Sequence, residues 1–244
     1  MNIDDLGGRQ WCEHSVPDFL PTLRAGIADN LATEHKLSQR DIAERIGLTQ
    51  AAVSHYITRR RGRRSRARDS RLRKYGERLA ARIANGLSGP ELTAAICGAC
   101  TTYRQTEGVG PCSCILGGVS KPNFLLALGE PGGFPKQPCE TFVVERLLPF
   151  VRSEIARRLV PERGQVRVAS LLGVSQPAVS QYMSGRRGED AALGSHPVVG
   201  EQLDDLERRL AGGVSDPDRK KAICEACVQI RSQVLDTEAL GGTA

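Results

Sequence analysis

Placed on a wheel at about 100° per residue, the stretch after Thr49 separates cleanly: Ala52, Val53, Tyr56 and Ile57 share one arc, while Gln50, Ala51, Ser54, His55 and Thr58 share the other. That pattern predicts a short helix with one packed and one polar face. Just upstream, Ser38 is placed to cap a helix running to about Ile46, Gly47 supplies the left-handed residue that ends it, and Thr49 caps its successor. The same order returns later. Gly173 and Ser175 take the turn and cap positions, Pro177 falls in a first turn where its missing N–H costs little, and the arcs are Ala178, Val179, Tyr182 and Met183 against Gln176, Pro177, Ser180, Gln181 and Ser184. A long amphipathic helix is predicted ahead of each pair, over about Pro17–Thr33 and Thr141–Leu159. Two more follow each pair, over Arg71–Asn85 and Glu91–Arg104, then Val198–Ala211 and Asp218–Val234. The fold class expected is all-α.

The recurrence is a tandem duplication. Gln39, Ala43, Gly47, Gln50, Ala52, Val53, Ser54 and Tyr56 reappear as Gln165, Ala169, Gly173, Gln176, Ala178, Val179, Ser180 and Tyr182, each at a shift of 126. Cys12-Glu13 matches Cys139-Glu140, Leu20-Pro21 matches Leu148-Pro149, and Ile96-Cys97-x-x-Cys100 matches Ile223-Cys224-x-x-Cys227, at shifts of 127 or 128. Two domains, 10–107 and 138–236, are expected, joined by the Gly/Pro-rich stretch 108–137.

Charge sharpens this picture because it is local. The chain of 244 residues carries a formal net charge of +6, yet Arg59, Arg60, Arg61, Arg63, Arg64, Arg66, Arg68, Arg71, Arg73 and Lys74 face only Asp69 within their own segment. The remainder is slightly acidic. A concentrated basic block is the electrostatic footprint of a phosphate-backbone binder, though a solvated arm has the same composition. No apolar run reaches the roughly 18 residues of a membrane span, and the first ten residues have no signal-peptide core, so a cytoplasmic protein without a membrane partner is expected.

The polar arcs suit a helix lying in a DNA major groove, where Gln pairs with adenine edges and Ser accepts several bases. Gln39 and Gln165, opening the preceding helices, are placed to meet phosphate oxygens, and basic residues follow each reading helix: Arg59, Arg60, Arg61, Arg63 and Arg64 in one copy, Arg186 and Arg187 in the other. The plain alternative is a helical hairpin whose polar face is merely solvated. Duplication, spacing and flanking charge together favour double-stranded DNA, read by Gln39, Thr49, Gln50, Ala51, Ser54, His55 and Thr58 in one copy and by Gln165, Ser175, Gln176, Pro177, Ser180, Gln181 and Ser184 in the other.

Eight cysteines in a reducing compartment argue for metal, cluster or redox roles over disulfides. Cys97 and Cys100, like Cys224 and Cys227, sit at i and i+3 on one helix face, and Cys12 or Cys139 would supply a third thiolate to its copy. Cys112 or Cys114 would complete a four-thiolate set in the first copy, for an iron–sulfur cluster or zinc. The second copy has no such cysteine after Cys227, so either its site is incomplete or its fourth ligand is Glu140, His196, water or a linker thiol. Small buried residues joining terminal helices, with no cofactor, are the alternative.

The stretches LSQRDIAERIGLTQAAVSHYITRRRG and QVRVASLLGVSQPAVSQYMSGRRG resemble the lambda-repressor-type (xenobiotic-response-element) helix-turn-helix domain. The order Cys-Glu, Leu-Pro with an apolar helix, helix-turn-helix, then an ICxxC helix is similar to archaeal transcriptional regulators, including those fused to a thiamine-phosphate synthase domain, which is not present here. The resemblance implies two tandem lambda-repressor-like bundles and a sequence-specific regulator, acting as a homodimer or an intrachain pseudo-dimer. No enzymatic activity is expected, since neither a Walker nor an HExxH motif occurs. A nonspecific nucleic-acid scaffold and a cysteine-based redox protein are the rival functions; the latter lacks a βαβ pattern around its CxxC pairs.

Overall fold

The computed structural model describes residues 10–58, 70–106 and 139–241. Every regular element among them is helical. In chain order these are α1 (Trp11–His14), a π-helical stretch (Ser15–Phe19), α2 (Leu20–Thr33), α3 (Gln39–Ile46), α4 (Gln50–Ile57), α5 (Ser70–Ala84) and α6 (Gly89–Thr106). A second π-helical stretch (Cys139–Leu147) then leads into α7 (Leu148–Leu172), α8 (Gln176–Met183), α9 (Ala191–Gly194), α10 (Pro197–Ala211) and α11 (Asp216–Gly241). None of the described helices is long and apolar enough to cross a membrane.

Contacts divide the chain into two compact units, one containing Glu13–Gly108 and the other Cys139–Ala244. Their cores use the same repeat positions. Leu20, Leu23, Ile27 and Leu31 of α2 are buried, as are Leu148, Val151, Ile155 and Leu159 of α7. Val53 and Tyr56 of α4 and Val179 and Tyr182 of α8 are buried too, which seats both short helices on their apolar arcs. Leu79 and Ile83 of α5, with Leu206 and Leu210 of α10, close the two cores.

Each Leu-Pro pair is preceded by a π-helical stretch, which simple 3.6-residue periodicity does not predict. Proline inside a helix removes one N–H and crowds the carbonyl four residues back; a wider turn before Pro21 and Pro149 relieves both. The units also differ. Between α2 and Ser38 the first has a loop, whereas in the second two helical segments, named together α7, meet directly at a kink at Gly164 (φ 73°, ψ 158°). Gly164 occupies the repeat position of Ser38, and two fewer residues precede it, so the second unit makes its corner with one glycine.

The first unit has a closer helix crossing. A Cβ on Gly76 of α5 would stand 3.1 Å from the carbonyl carbon of Gly26 in α2 and 3.4 Å from its Cα. Backbone meets backbone there. In the second unit, buried Leu203 occupies the place of Gly76. Gly76→Val is therefore expected to destabilise the first unit by about 2 kcal/mol, because α2 and α5 must separate to admit the side chain. Hydrogen exchange checks it: the amides of α2 and α5 should lose protection while those of α10 keep theirs.

Candidate nucleic-acid interface

Local chemistry fixes each pair of short helices. Ser38 caps α3 with a reciprocal box: its Oγ accepts from the Asp41 N–H at 3.2 Å and donates to the Asp41 carboxylate at 2.6 Å, while its own N–H donates to the same carboxylate at 3.3 Å. The Ser38 hydroxyl thereby holds the Asp41 carboxyl below the usual carboxylate range. Gly47 ends α3 in the left-handed region (φ 61°, ψ 42°), and Gly173 does the same at the end of α7 (φ 66°, ψ 36°). Thr49 Oγ1 then accepts from the Ala52 N–H at 3.1 Å, and Ser175 Oγ from the Ala178 N–H at 3.4 Å. The turn and cap residues predicted from spacing thus take those places in both units.

With the apolar arcs seated, the polar arcs face outward. In the second unit Gln176, Pro177, Ser180, Gln181 and Ser184 are all exposed. In the first, Gln50, Ala51 and Thr58 are exposed and Ser54 and His55 half-buried. Gln39 and Gln165 are half-buried at the openings of the preceding helical segments. Gln176 Nε2 donates to Gln165 Oε1 at 2.6 Å, joining the outer face of α8 to the segment before the turn. Among the described residues, Gln39 and Gln50 make no such bond. Thr58 Oγ1 donates to the Ser54 carbonyl at 2.7 Å and Ser184 Oγ to the Gln181 carbonyl at 3.2 Å, so both hydroxyl protons are committed to their own helices. Met183 departs from its expected inward place and is 36% exposed, because as the last residue of α8 it has no following turn over it. Val166, outside the polar arcs and 76% exposed, stands beside Gln165 where the first copy has Arg40.

The loop carrying Arg186 and Arg187 is tightly held. Gly185 (φ 71°) and Gly188 (φ 79°) turn it, and a Cβ on Gly188 would lie 2.4 Å from the Pro149 carbonyl oxygen. Glu189 pairs with Arg157 at 3.1 Å, Asp190 pairs with Arg146 at 2.9 Å, and Asp190 Oδ1 accepts from the Leu193 N–H at 3.1 Å, capping α9. The Arg187 guanidinium lies 5.7 Å from the centre of the Tyr182 ring, and both arginines remain exposed. Two cations are thus set just past the end of α8. Their counterparts Arg59, Arg60 and Arg61, with Arg63 and Arg64, lie outside the described residues.

The cysteines are only partly placed. Cys97 and Cys100 on α6 are half-buried beside the buried stripe of Leu92, Ile96, Ala99 and Tyr103. On α11 Cys224 is half-buried and Cys227 buried, and Cys12 is buried; all five are thiols. First and last segments touch in each unit. Phe19 meets Tyr103 of α6 with ring centres 5.2 Å apart, and the stretch Cys139–Leu147 contacts α11. Among the described residues, however, no three His, Cys, Asp or Glu side chains converge as metal ligands. Cys112 and Cys114 lie outside the described residues, as does the side chain of Cys139. Repeat position also predicts a feature that composition hides: Arg24 and Arg152, both four residues after the leucine of Leu-Pro, are buried.

No family model, curated protein or solved structure matches the chain.

Proposed function

We propose that this protein is a sequence-specific, double-stranded-DNA-binding regulator, built as two tandem lambda-repressor-like helix-turn-helix bundles and using α4 and α8 as reading helices. The observation that carries the reading is the repeated seating of a short, side-chain-capped helix on Val and Tyr, which leaves a polar arc outward in both units. A helix that presents Gln and Ser outward from a rigid base matches the donor and acceptor pattern of a major groove. The Gln165–Gln176 bond supports it further, because a glutamine braced from behind loses less freedom on meeting a base edge. Arg186 and Arg187, pinned beside α8, are placed for phosphates.

Because one chain carries both reading helices, it acts as a pseudo-dimer on an imperfect palindrome, with half-sites about one helical turn (roughly 34 Å) apart. The half-sites differ, since His55 stands against Gln181 and Ala51 against Pro177. Selection of bound duplexes from a random library tests this. Enrichment of a two-part motif, bound at least about 1,000-fold tighter than random duplex, is expected. Retention of all sequences equally, with affinity collapsing in salt, would instead identify a nonspecific scaffold.

A further inference from the structure

Duplication lets one copy serve as the control for the other, and α5 and α10, which take the same place in their units, have opposite charge. Helix α5 carries Arg71, Arg73, Lys74, Arg78 and Arg82 against Glu77 alone. Helix α10 carries Glu201, Asp204, Asp205 and Glu207 against Arg208 and Arg209. At a shift of 127, Lys74 and Arg78 correspond to Glu201 and Asp205, while Arg82 corresponds to Arg209. Packing does not demand the difference, since these side chains lie off the apolar stripes that close the cores.

Three of the charges on α5 stand apart from the contacts made by its others. Arg73 lies 3.8 Å from Glu77 in a solvent-exposed pair, and Arg71 stacks over Tyr103 at 5.4 Å. Lys74, Arg78 and Arg82, four residues apart, form an exposed stripe. Among the described residues none of the three is in an ion pair. On α10 three of the acids are paired: Asp204 and Glu207 hold Arg158 of α7 at 2.6 and 3.1 Å, and Asp205 lies 3.3 Å from Arg208. From Lys74 to Arg82 the helix rises about 12 Å. One DNA strand presents a phosphate about every 3.4 Å of axis, so three cations spread over that length can each meet one.

We propose that Lys74, Arg78 and Arg82 of α5 form a phosphate-backbone contact for duplex DNA, a site that α10 lacks. The inference rests on the DNA-binding reading above and adds a division of labour to it: the first unit supplies salt-sensitive affinity through a helix outside its reading pair. Phosphate contacts hold register and carry no base information. Their loss must therefore weaken every duplex alike.

The test uses the full chain with Lys74→Gln, Arg78→Gln and Arg82→Gln combined, titrated between 50 and 200 mM salt against the duplex selected by the wild type and against a random duplex. Removing three contacts should lower the slope of log Kd against log salt by about 2.7 and weaken both duplexes by a similar factor, at least roughly tenfold. The ratio between the duplexes should stay unchanged, and so should the thermal melt, since all three side chains are exposed. A wild-type slope retained by the variant, or a loss confined to the selected duplex, would overturn the stripe and leave the reading helices standing. Wild-type protein that binds no duplex would overturn both.

Discussion

Gly188→Ala is expected to destabilise the unit containing Cys139–Ala244 by about 3 kcal/mol. Two costs coincide at this position. Its φ of 79° lies in the left-handed region, where a Cβ costs roughly 1–2 kcal/mol. The added atom would also sit 2.4 Å from the Pro149 carbonyl oxygen, 3.0 Å from the Pro149 carbonyl carbon and 2.6 Å from Ser153 Cβ. Those neighbours belong to α7 and cannot turn aside, so the loop must lift from the helix. Lifting would loosen the Arg157–Glu189 and Arg146–Asp190 pairs. As partly exposed pairs each contributes under about 1 kcal/mol, so the backbone clash dominates.

Gly185 provides the internal comparison. It has nearly the same φ, 71°, but the nearest neighbours of its Cβ would be the Glu189 carboxylate atoms, at the far end of a flexible side chain rather than on the backbone. Gly185→Ala should therefore cost about 1 kcal/mol, near the conformational penalty alone. Denaturant melts of both variants decide the matter. Equal midpoints, or Gly188→Ala within about 0.5 kcal/mol of wild type, would mean that the loop is not docked as described. Once released, Arg186 and Arg187 no longer sit at fixed positions past α8, so under the proposed function DNA affinity should fall together with stability.

The parts of this protein that sequence makes legible are those set over three or four residues. Caps at Ser38, Thr49 and Ser175, left-handed ends at Gly47 and Gly173, and the buried pairs Val53/Tyr56 and Val179/Tyr182 all follow from local spacing. What escapes depends on partners far along the chain or on a departure from ordinary helical geometry. The π-helical stretches answer to Pro21 and Pro149, and apolar periodicity alone predicts neither. The repeat shift drops from 128 to 126 between Leu148 and Gln165, which leaves room for only a one-glycine corner, and periodicity on either side of Gly164 marks the two helical segments that this kink separates. The Gly26–Gly76 crossing joins residues 50 positions apart, and neither glycine signals the other.

The candidate site divides in the same way. Outward and inward arcs are a one-helix property and follow from the wheel, with Met183 the exception at a helix end. Bracing of Gln176 by Gln165 requires knowing how two helical segments cross, which spacing alone leaves open. The contrast between α5 and α10 was present in the sequence as charge, but the arginine-rich segment ending at Lys74 drew the boundary too early. Arg78 and Arg82 join the argument only once α5 is seen as one exposed stripe. For the cysteines, spacing predicted a shared helix face, but among the described residues, Cys12, Cys97 and Cys100 included, no three ligands converge, and Cys112 and Cys114 lie outside those residues.

If α4 and α8 read DNA as proposed, inactivating them separately should have unequal results. In the second unit, Gln176→Ala with Gln181→Ala removes two exposed amides from α8, each worth about 1–3 kcal/mol if it holds a base edge, so affinity for the selected duplex should fall roughly 30-fold or more. Random duplex should be bound as before. The footprint should shorten by one half-site, about ten base pairs. In the first unit, Gln50→Ala with His55→Ala should shorten the footprint from the other end but cost less selectivity. His55 is half-buried and Gln50 lacks the brace that Gln165 gives Gln176, so the first helix starts with less preorganised chemistry. Its salt-dependent binding should persist, because the stripe on α5 is untouched. Footprints and affinities of the two double variants, measured on one duplex at one salt concentration, separate these outcomes. If either pair of substitutions leaves both footprint length and affinity unchanged, that helix does not read DNA and the pseudo-dimer fails. If both variants lose the same selectivity, the copies are equivalent readers, and the unequal bracing of their glutamines has no functional weight.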